Sequence, residues 1–176
     1  CRNLEYINIG NKVKSIGEYA FANCDSLRNL TIPGSVTDIG NCAFGFSGVQ
    51  NVTFGRGLKK IASTAFHTCL ELRKLIIGED VEQIGFEAFV NCSNLKTVYI
   101  PLSVTSIQYS AFENCDDITD VYYEGSEEDW EAITFGYNNS SILRATIHFG
   151  ASADDIPEDE TTIKYPSTKE TVPLST

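Results

Sequence analysis

Basic residues are scarce in this chain. Thirteen Lys and Arg stand against 24 Asp and Glu among 176 residues, for a formal charge of −11. No basic field is there to attract phosphate backbones or anionic lipid, so nucleic acid is not expected as a partner and membrane surfaces are poor ones. No apolar run approaches the roughly 18 to 20 residues that cross a bilayer, and no basic-then-apolar leader opens the sequence. Methionine is absent and the chain starts at Cys1, as expected of a processed or excised piece of a longer protein. Histidine is limited to His67 and His148, far apart. There is no G-x-S-x-G, no Gly-rich phosphate loop and no H-E-x-x-H, and no two titratable groups with complementary roles can be placed in one pocket. Catalysis is therefore not expected, and no cofactor is implied. What remains, 42% hydrophobic and 21% charged residues, is enough for an ordinary globular core.

The order inside the chain is more informative. Ala-Phe recurs with its Phe at positions 21, 44, 66, 89 and 112, and the flanking residues align as L-x-x-L-x-I-x-x-x-V-x-x-I-x-x-x-A-F-x-x-C. One unit shows the pattern whole: Leu72, Leu75, Ile77, Val81, Ile84, Ala88, Phe89 and Cys92. Units starting at Leu4, Leu27, Val49 and Leu95 repeat it, except that Ser47 replaces the Cys after a one-residue deletion. A unit of about 23 residues cannot bury its apolar face alone, so the copies must stack as a solenoid, with Phe66, Phe89 and Phe112 in one column.

Within a unit, L-x-x-L-x-I ends in period-2 alternation, which predicts a strand with one face buried. Turn dipeptides follow, then V-x-x-I as a short second strand or an extended return. A-F-x-x-C sets Phe and Cys three apart, on one side of a single helical or 3₁₀ turn. The sixth unit departs from the pattern. Ser126 with an acid three residues later predicts an N-cap and a short helix through Ile133. Tyr137-Asn138-Asn139 reads as a turn, and Ile142, Ala145 and Ile147 restore L-x-x-L-x-I as a seventh strand. Residues 1–150 are thus expected to form the solenoid, with a C-terminal cap at 118–150. Cys1 falls where the Cys of a preceding unit would stand, so the array is expected to be truncated at its N-terminus. Residues 151–176, rich in Thr, Pro and acids, hold too little apolar matter to offset the entropy of ordering and are expected to be a linker or tail.

Cys1, Cys24, Cys69, Cys92 and Cys115 share one register, with no C-x-x-C pair, so zinc spacing does not apply. Stacked Cys residues have parallel Cβ vectors roughly 5 Å apart, wider than the ~3.5 to 4.5 Å a disulfide needs. A reduced, buried thiol ladder is the expectation. Cys42 is off register and is the expected exposed thiol. Both histidines are expected to be structural or solvated. Glu127-Glu128-Asp129 is better read as favouring a helix dipole than as a Ca²⁺ or acid/base site. Sequons at Asn29, Asn51, Asn91, Asn138 and Asn139 matter only in a eukaryotic secretory route, where Asn91, preceding a buried Cys, is expected to be blocked.

Residues flanking the buried strand positions point outward and predict one nearly uncharged face. It comprises Tyr6 and Asn8, Asn29 and Thr31, Asn51 and Thr53, Lys74 and Ile76, Thr97 and Tyr99, Asp120 and Tyr122, and Arg144, Thr146 and His148. Exposed aromatics amid Asn and Thr support adaptable protein or glycan contacts, although the same residues also serve β propensity and solubility.

V-x-x-I-G-x-x-A-F-x-x-C with L-x-x-L-x-I-P, over residues 1 to about 150, resembles the BspA-type leucine-rich repeat. Glu124-Gly125-Ser126-Glu127-Glu128-Asp129-Trp130 and Ala145-Thr146-Ile147-His148-Phe149 are similar to its closing segments. The resemblance implies a right-handed α/β solenoid of 22–24-residue units with a parallel sheet of about seven strands. It also implies cell-surface display and adhesion to host or partner macromolecules; with the outward row read from the strands, the expected function is non-catalytic binding of an extracellular host or matrix protein. Two alternatives stand beside it: a structural spacer in a longer surface protein, and a glycan-binding module of a secreted enzyme. A monomer, or weak association through the open N-terminal edge, is expected.

Overall fold

A computed structural model describes residues 1–158. Its elements in chain order are β1 (Ser15–Ile16), β2 (Asn29–Ile32), β3 (Asp38–Ile39), β4 (Asn51–Phe54), β5 (Lys60–Ile61), β6 (Lys74–Ile76) and β7 (Gln83–Ile84). There follow β8 (Thr97–Ile100), β9 (Ser106–Ile107), β10 (Asp120–Tyr123), α1 (Glu127–Glu131), β11 (Thr134–Phe135), α2 (Ser140–Leu143), β12 (Thr146–Phe149) and a 3₁₀ turn at Ala153–Asp155.

Each coil has three sides. The L-x-x-L-x-I segments form one parallel sheet, β2-β4-β6-β8-β10-β12, whose register follows the repeat: Leu30 lies beside Val52, then Leu75, Val98, Val121 and Ile147. The V-x-x-I segments are true strands of two residues, paired as β5-β7-β9-β11 and β1-β3. Buried Leu, Ile and Val from both sides meet the Phe and Cys of the third side in one continuous core.

That third side is not the expected helical turn. Its residues alternate in handedness, with φ near +55° two positions before and two after each Phe, as at Thr64 and Thr68 around Phe66 and at Glu87 and Asn91 around Phe89. Alternation sends every second N–H sideways. Thr64, Phe66 and Thr68 donate to the carbonyls of Phe86, Ala88 and Val90 in the next coil, while Ala65, His67 and Cys69 donate back to their own coil. A helix would spend those N–H groups internally, leaving adjacent coils joined on this side by side chains alone. Two left-handed residues cost about 2–4 kcal/mol per coil, and three lateral hydrogen bonds return a similar ~1.5–4.5 kcal/mol.

The phenylalanines form the expected column. Successive rings of Phe21, Phe44, Phe66, Phe89 and Phe112 lie 5.3, 4.9, 5.4 and 5.3 Å apart and within 14° of parallel. Beside them, the Sγ of Cys69, Cys92 and Cys115 donate to the carbonyls of Phe44, Phe66 and Phe89 at 3.1, 3.3 and 3.0 Å. Burial, with the adjacent thiols, pushes Cys92 well above the usual thiol range. Where one coil is a residue short, Ser47 takes the Cys place and its Oγ lies 3.5 Å from Cys69 Sγ. The shortcut passes so close to the preceding coil that a Cβ at Gly48 would run into the Asp25 carbonyl, which requires glycine there.

Several expectations need correction. The main sheet has six strands rather than seven, because the first unit, with Tyr6 and Asn8, is not in a ladder. Its Leu4, Ile7 and Ile9 are only half-buried, so packing does not draw the segment flat against β2. The last strand is slid by two residues: Ile147, not Ala145, pairs with Val121, and Phe149 pairs with Tyr123. The helix opened by Ser126 stops at Glu131, and the region read as a turn leads into α2, N-capped by Asn139. The chain also stays packed beyond residue 150, with Ala151 donating to the Tyr123 carbonyl and Ile156 only 5% exposed. The remainder of the expected tail, 159–176, lies outside the described residues.

Candidate functional site: the outer face of the main sheet

Strand alternation sends every second side chain of the main sheet outward, and parallel register turns these into two rows. One runs Asn29, Asn51, Lys74, Thr97, Asp120, Thr146; the other runs Thr31, Thr53, Ile76, Tyr99, Tyr122, His148. Six strands about 4.8 Å apart give a face about 24 Å wide.

The rows change character along their length. At the β2–β4 end the side chains are small and polar, and Asn51 Nδ2 donates to Asn29 Oδ1 at 2.8 Å. Toward β12 the second row becomes apolar and aromatic. The His148 ring stacks on Tyr122 at 4.5 Å and 17° from parallel. His148 Nε2 sits 2.8 Å from Asp120 Oδ1. Hydrogen bonds from His148 and from the Thr119 hydroxyl hold the Asp120 carboxyl below the usual carboxylate range. Stacking fixes the plane of the imidazole and the carboxylate fixes its rotation, so both rings are pre-oriented on the face.

Not every residue expected on the face is available there. Tyr99, between Ile76 and Tyr122 in the register, is 4% exposed. Burial, with the charges of Glu124 and Glu79, pushes its phenol up to about 12. Tyr99 is therefore a wedge under the face and not part of its surface. Arg144 lies outside β12, caps α2 and pairs with Asp116 at 2.9 Å, because the two-residue slide of the last strand leaves it short of the ladder. Tyr6 and Asn8 are exposed but belong to no strand. Asn29, Thr31, Asn51, Thr53, Lys74, Ile76, Thr97, Asp120, Tyr122 and His148 all lie in the strands with their side chains half-buried or exposed.

Other candidates fall into place around this face. His67 is half-buried, edge-on to Phe46 at 4.3 Å, and burial lowers its imidazole below the ordinary range. Cys1 is the exposed thiol; Cys42 is half-buried, its Sγ 3.2 Å from the Thr64 hydroxyl, because the left-handed backbone turns it back toward the next coil. Glu127, Glu128 and Asp129 occupy the first turn of α1, where Ser126 and Asp129 form a reciprocal capping box. Among the described residues no cluster of His, Cys, Asp and Glu is arranged to hold a metal.

One residue with a large part in the structure escaped sequence reasoning. Asn139, 2% exposed, accepts from the Phe112 N–H at 3.0 Å and donates to the Gln108 and Gly136 carbonyls at 2.9 Å each. It closes the lateral hydrogen-bond ladder where no further coil follows Phe112. This burial also removes Asn139 from the accessible sequons. The only sequence signal was an Asn-Asn pair in a non-repeating stretch.

Comparison with known proteins agrees with this architecture. The family model described as BspA type leucine rich repeat region matches residues 1–119 in six copies. A leucine rich cell surface protein from Faecalibacterium prausnitzii A2-165 is 35% identical with a TM-score of 0.68, over 72% of this chain and 34% of that one. This chain therefore spans about a third of that relative's length. A leucine rich repeat protein of T. pallidum matches at 22% identity and TM-score 0.48, over 80% of this chain and 81% of that one. One from Bacteroides ovatus matches at 22% and 0.45, over 86% and 50%. No curated protein matches the chain. With six matching copies over residues 1–119, stacked in the register that their spacing requires, the chain belongs to the BspA-type leucine-rich repeat family.

Proposed function

We propose that this chain is a non-catalytic binding module displayed at a bacterial cell surface, and that it holds an extracellular protein through the outer face of its main sheet. The observation that carries the reading is the gradient along the second row, from Thr31 and Thr53 to Ile76, Tyr122 and His148. The coils of β2 and β4 fold with a threonine in that place, so the fold does not require the larger groups. Rigid, pre-oriented aromatic rings supply contact area at low entropic cost. The F. prausnitzii relative, a cell surface protein by name, supports display outside the cell.

The test is a binding screen of the purified chain against extracellular-matrix and serum proteins, repeated with Tyr122→Ala/His148→Ala. A ligand whose affinity falls at least tenfold in the double variant supports the face. Binding unchanged by that pair moves the site elsewhere, and no binding to any protein in the screen favours a spacer.

A further inference from the structure

The second sheet carries a departure from the repeat of its own. Three residues before each core Phe, at the exit of the second strand, the first three coils place Glu18, Asn41 and Ser63. The next two place Phe86 and Tyr109, whose rings stand 5.8 Å apart and 15° from parallel while remaining 39% and 45% exposed. Neither ring belongs to the core, and three coils fold without an aromatic there. Tyr109 is held in place from the cap, where Asn138 Nδ2 donates to its hydroxyl at 2.9 Å.

Beside the two rings lies a groove of about 330 Å³, completed by Ser106, Gln108, Thr134 and the bare backbone of Gly136. Its volume lies at the small end of the about 300 to 1,000 Å³ typical of small-ligand sites. In a chain of formal charge −11 its lining holds no charged residue, only the two aromatic rings, Ile107, hydroxyls, one amide and the Gly136 backbone. Such a lining offers no compensation for a desolvated charge and matches an uncharged ligand with both an apolar and a hydroxylated side. A pyranose ring is such a ligand. Its C–H face carries slight positive charge and packs on the negative face of an aromatic ring, and its hydroxyls match Ser, Thr and Gln, which donate and accept.

We propose that this groove is a binding site for a neutral sugar residue, with Phe86 and Tyr109 as the platform and Ser106, Gln108 and Thr134 as the hydrogen-bonding wall. The site is on a different sheet from the protein-binding face and does not depend on it.

The experiment is titration of the ¹⁵N-labelled chain with cellotriose, maltotriose, mannotriose and chitotriose, followed by backbone amide shifts. At least one of the four is expected to shift Gln108, Tyr109, Thr134 and Gly136 with saturation in the millimolar range or tighter. Phe86→Ser/Tyr109→Asn, which installs the residue types of the earlier coils, is expected to weaken that saccharide at least tenfold while the amide spectrum away from the groove stays that of the folded chain. Tyr109→Phe is expected to keep most of the affinity. Tyr122→Ala, on the other sheet, is expected to leave it unaltered. No shift at the groove with any of the four at 20-fold excess over a millimolar protein sample overturns the proposal, as does a saccharide whose affinity the double variant leaves intact.

Discussion

The middle coils and the C-terminal cap solve the same problem by different means. In the coils, the sideways N–H groups of the Phe turn find carbonyls on the next copy of the same turn, so one conformation repeated supplies both partners. In the cap no further copy follows. The Ser110 N–H is met by the Tyr137 carbonyl, the Phe112 N–H by a side chain, and Trp130 packs at 5.2 Å against both Tyr123 and Phe135 over the last coil. A repeat spreads its stability over equivalent positions, whereas a terminator concentrates it in a few residues. Sequence periodicity therefore reveals the first and is silent on the second.

The sharpest test of that contrast is the Phe column. Phe66→Ala, with a ring on either side, is expected to cost about 3–5 kcal/mol in denaturant unfolding. Phe21→Ala, at the half-buried start of the column, should cost clearly less; equal losses would break the picture of neighbour-dependent coils. Next comes Asn139→Ala, which orphans a buried N–H and two carbonyls and is expected to cost about 2–4 kcal/mol. Hydrogen exchange should then rise first at Ser110 and Phe112 rather than in the middle coils. Asn139→Asp keeps the acceptor but turns an anion toward two carbonyls, so it should not rescue stability.

Smaller is the alkaline limb. Because Tyr99 in the folded chain ionises only at about 12 against about 10 when unfolded, the proton is held more tightly in the fold. Its contribution is present in full below pH 10 and lost as pH rises toward 12. Tyr99→Phe should flatten that loss, measured as the pH dependence of denaturant unfolding between pH 10 and 12. The smallest effect expected is a gain: Thr64→Gly relieves a left-handed, β-branched residue and should stabilise by about 1 kcal/mol, measured as a rise in melting temperature.

How much was legible follows from the same contrast. Spacing alone placed Phe44, Phe66, Phe89 and Phe112 in a column, set the thiol register, and sorted Thr31, Thr53, Ile76 and Tyr122 to the outside, because stacking converts period into position. The backbone of the third side was hidden. Left-handed geometry usually announces itself through Gly or Asn, and only Asn23, Asn91 and Asn114 do so here, while Cys42, Thr64 and Glu87 adopt it under pressure from lateral hydrogen bonds. Tyr99 was misread as exposed because alternation assigns a face but not a degree of exposure. The two-residue slide of β12 preserved parity, so Thr146 and His148 still face outward, and Arg144 alone fell off the sheet. Asn139 was missed because its role depends on a coil that is not there.

The lateral bonds of the Phe turn all run one way, from the N–H of each coil to the carbonyl of the coil that follows. A gene encoding such an array can gain or lose a whole unit by unequal recombination between its copies and keep the pattern of those bonds wherever the joined coils are of full length. Reach is thus a heritable variable in steps of one coil. Only the terminator is irreplaceable, so selection can lengthen the molecule from within but must carry its last segment along unchanged.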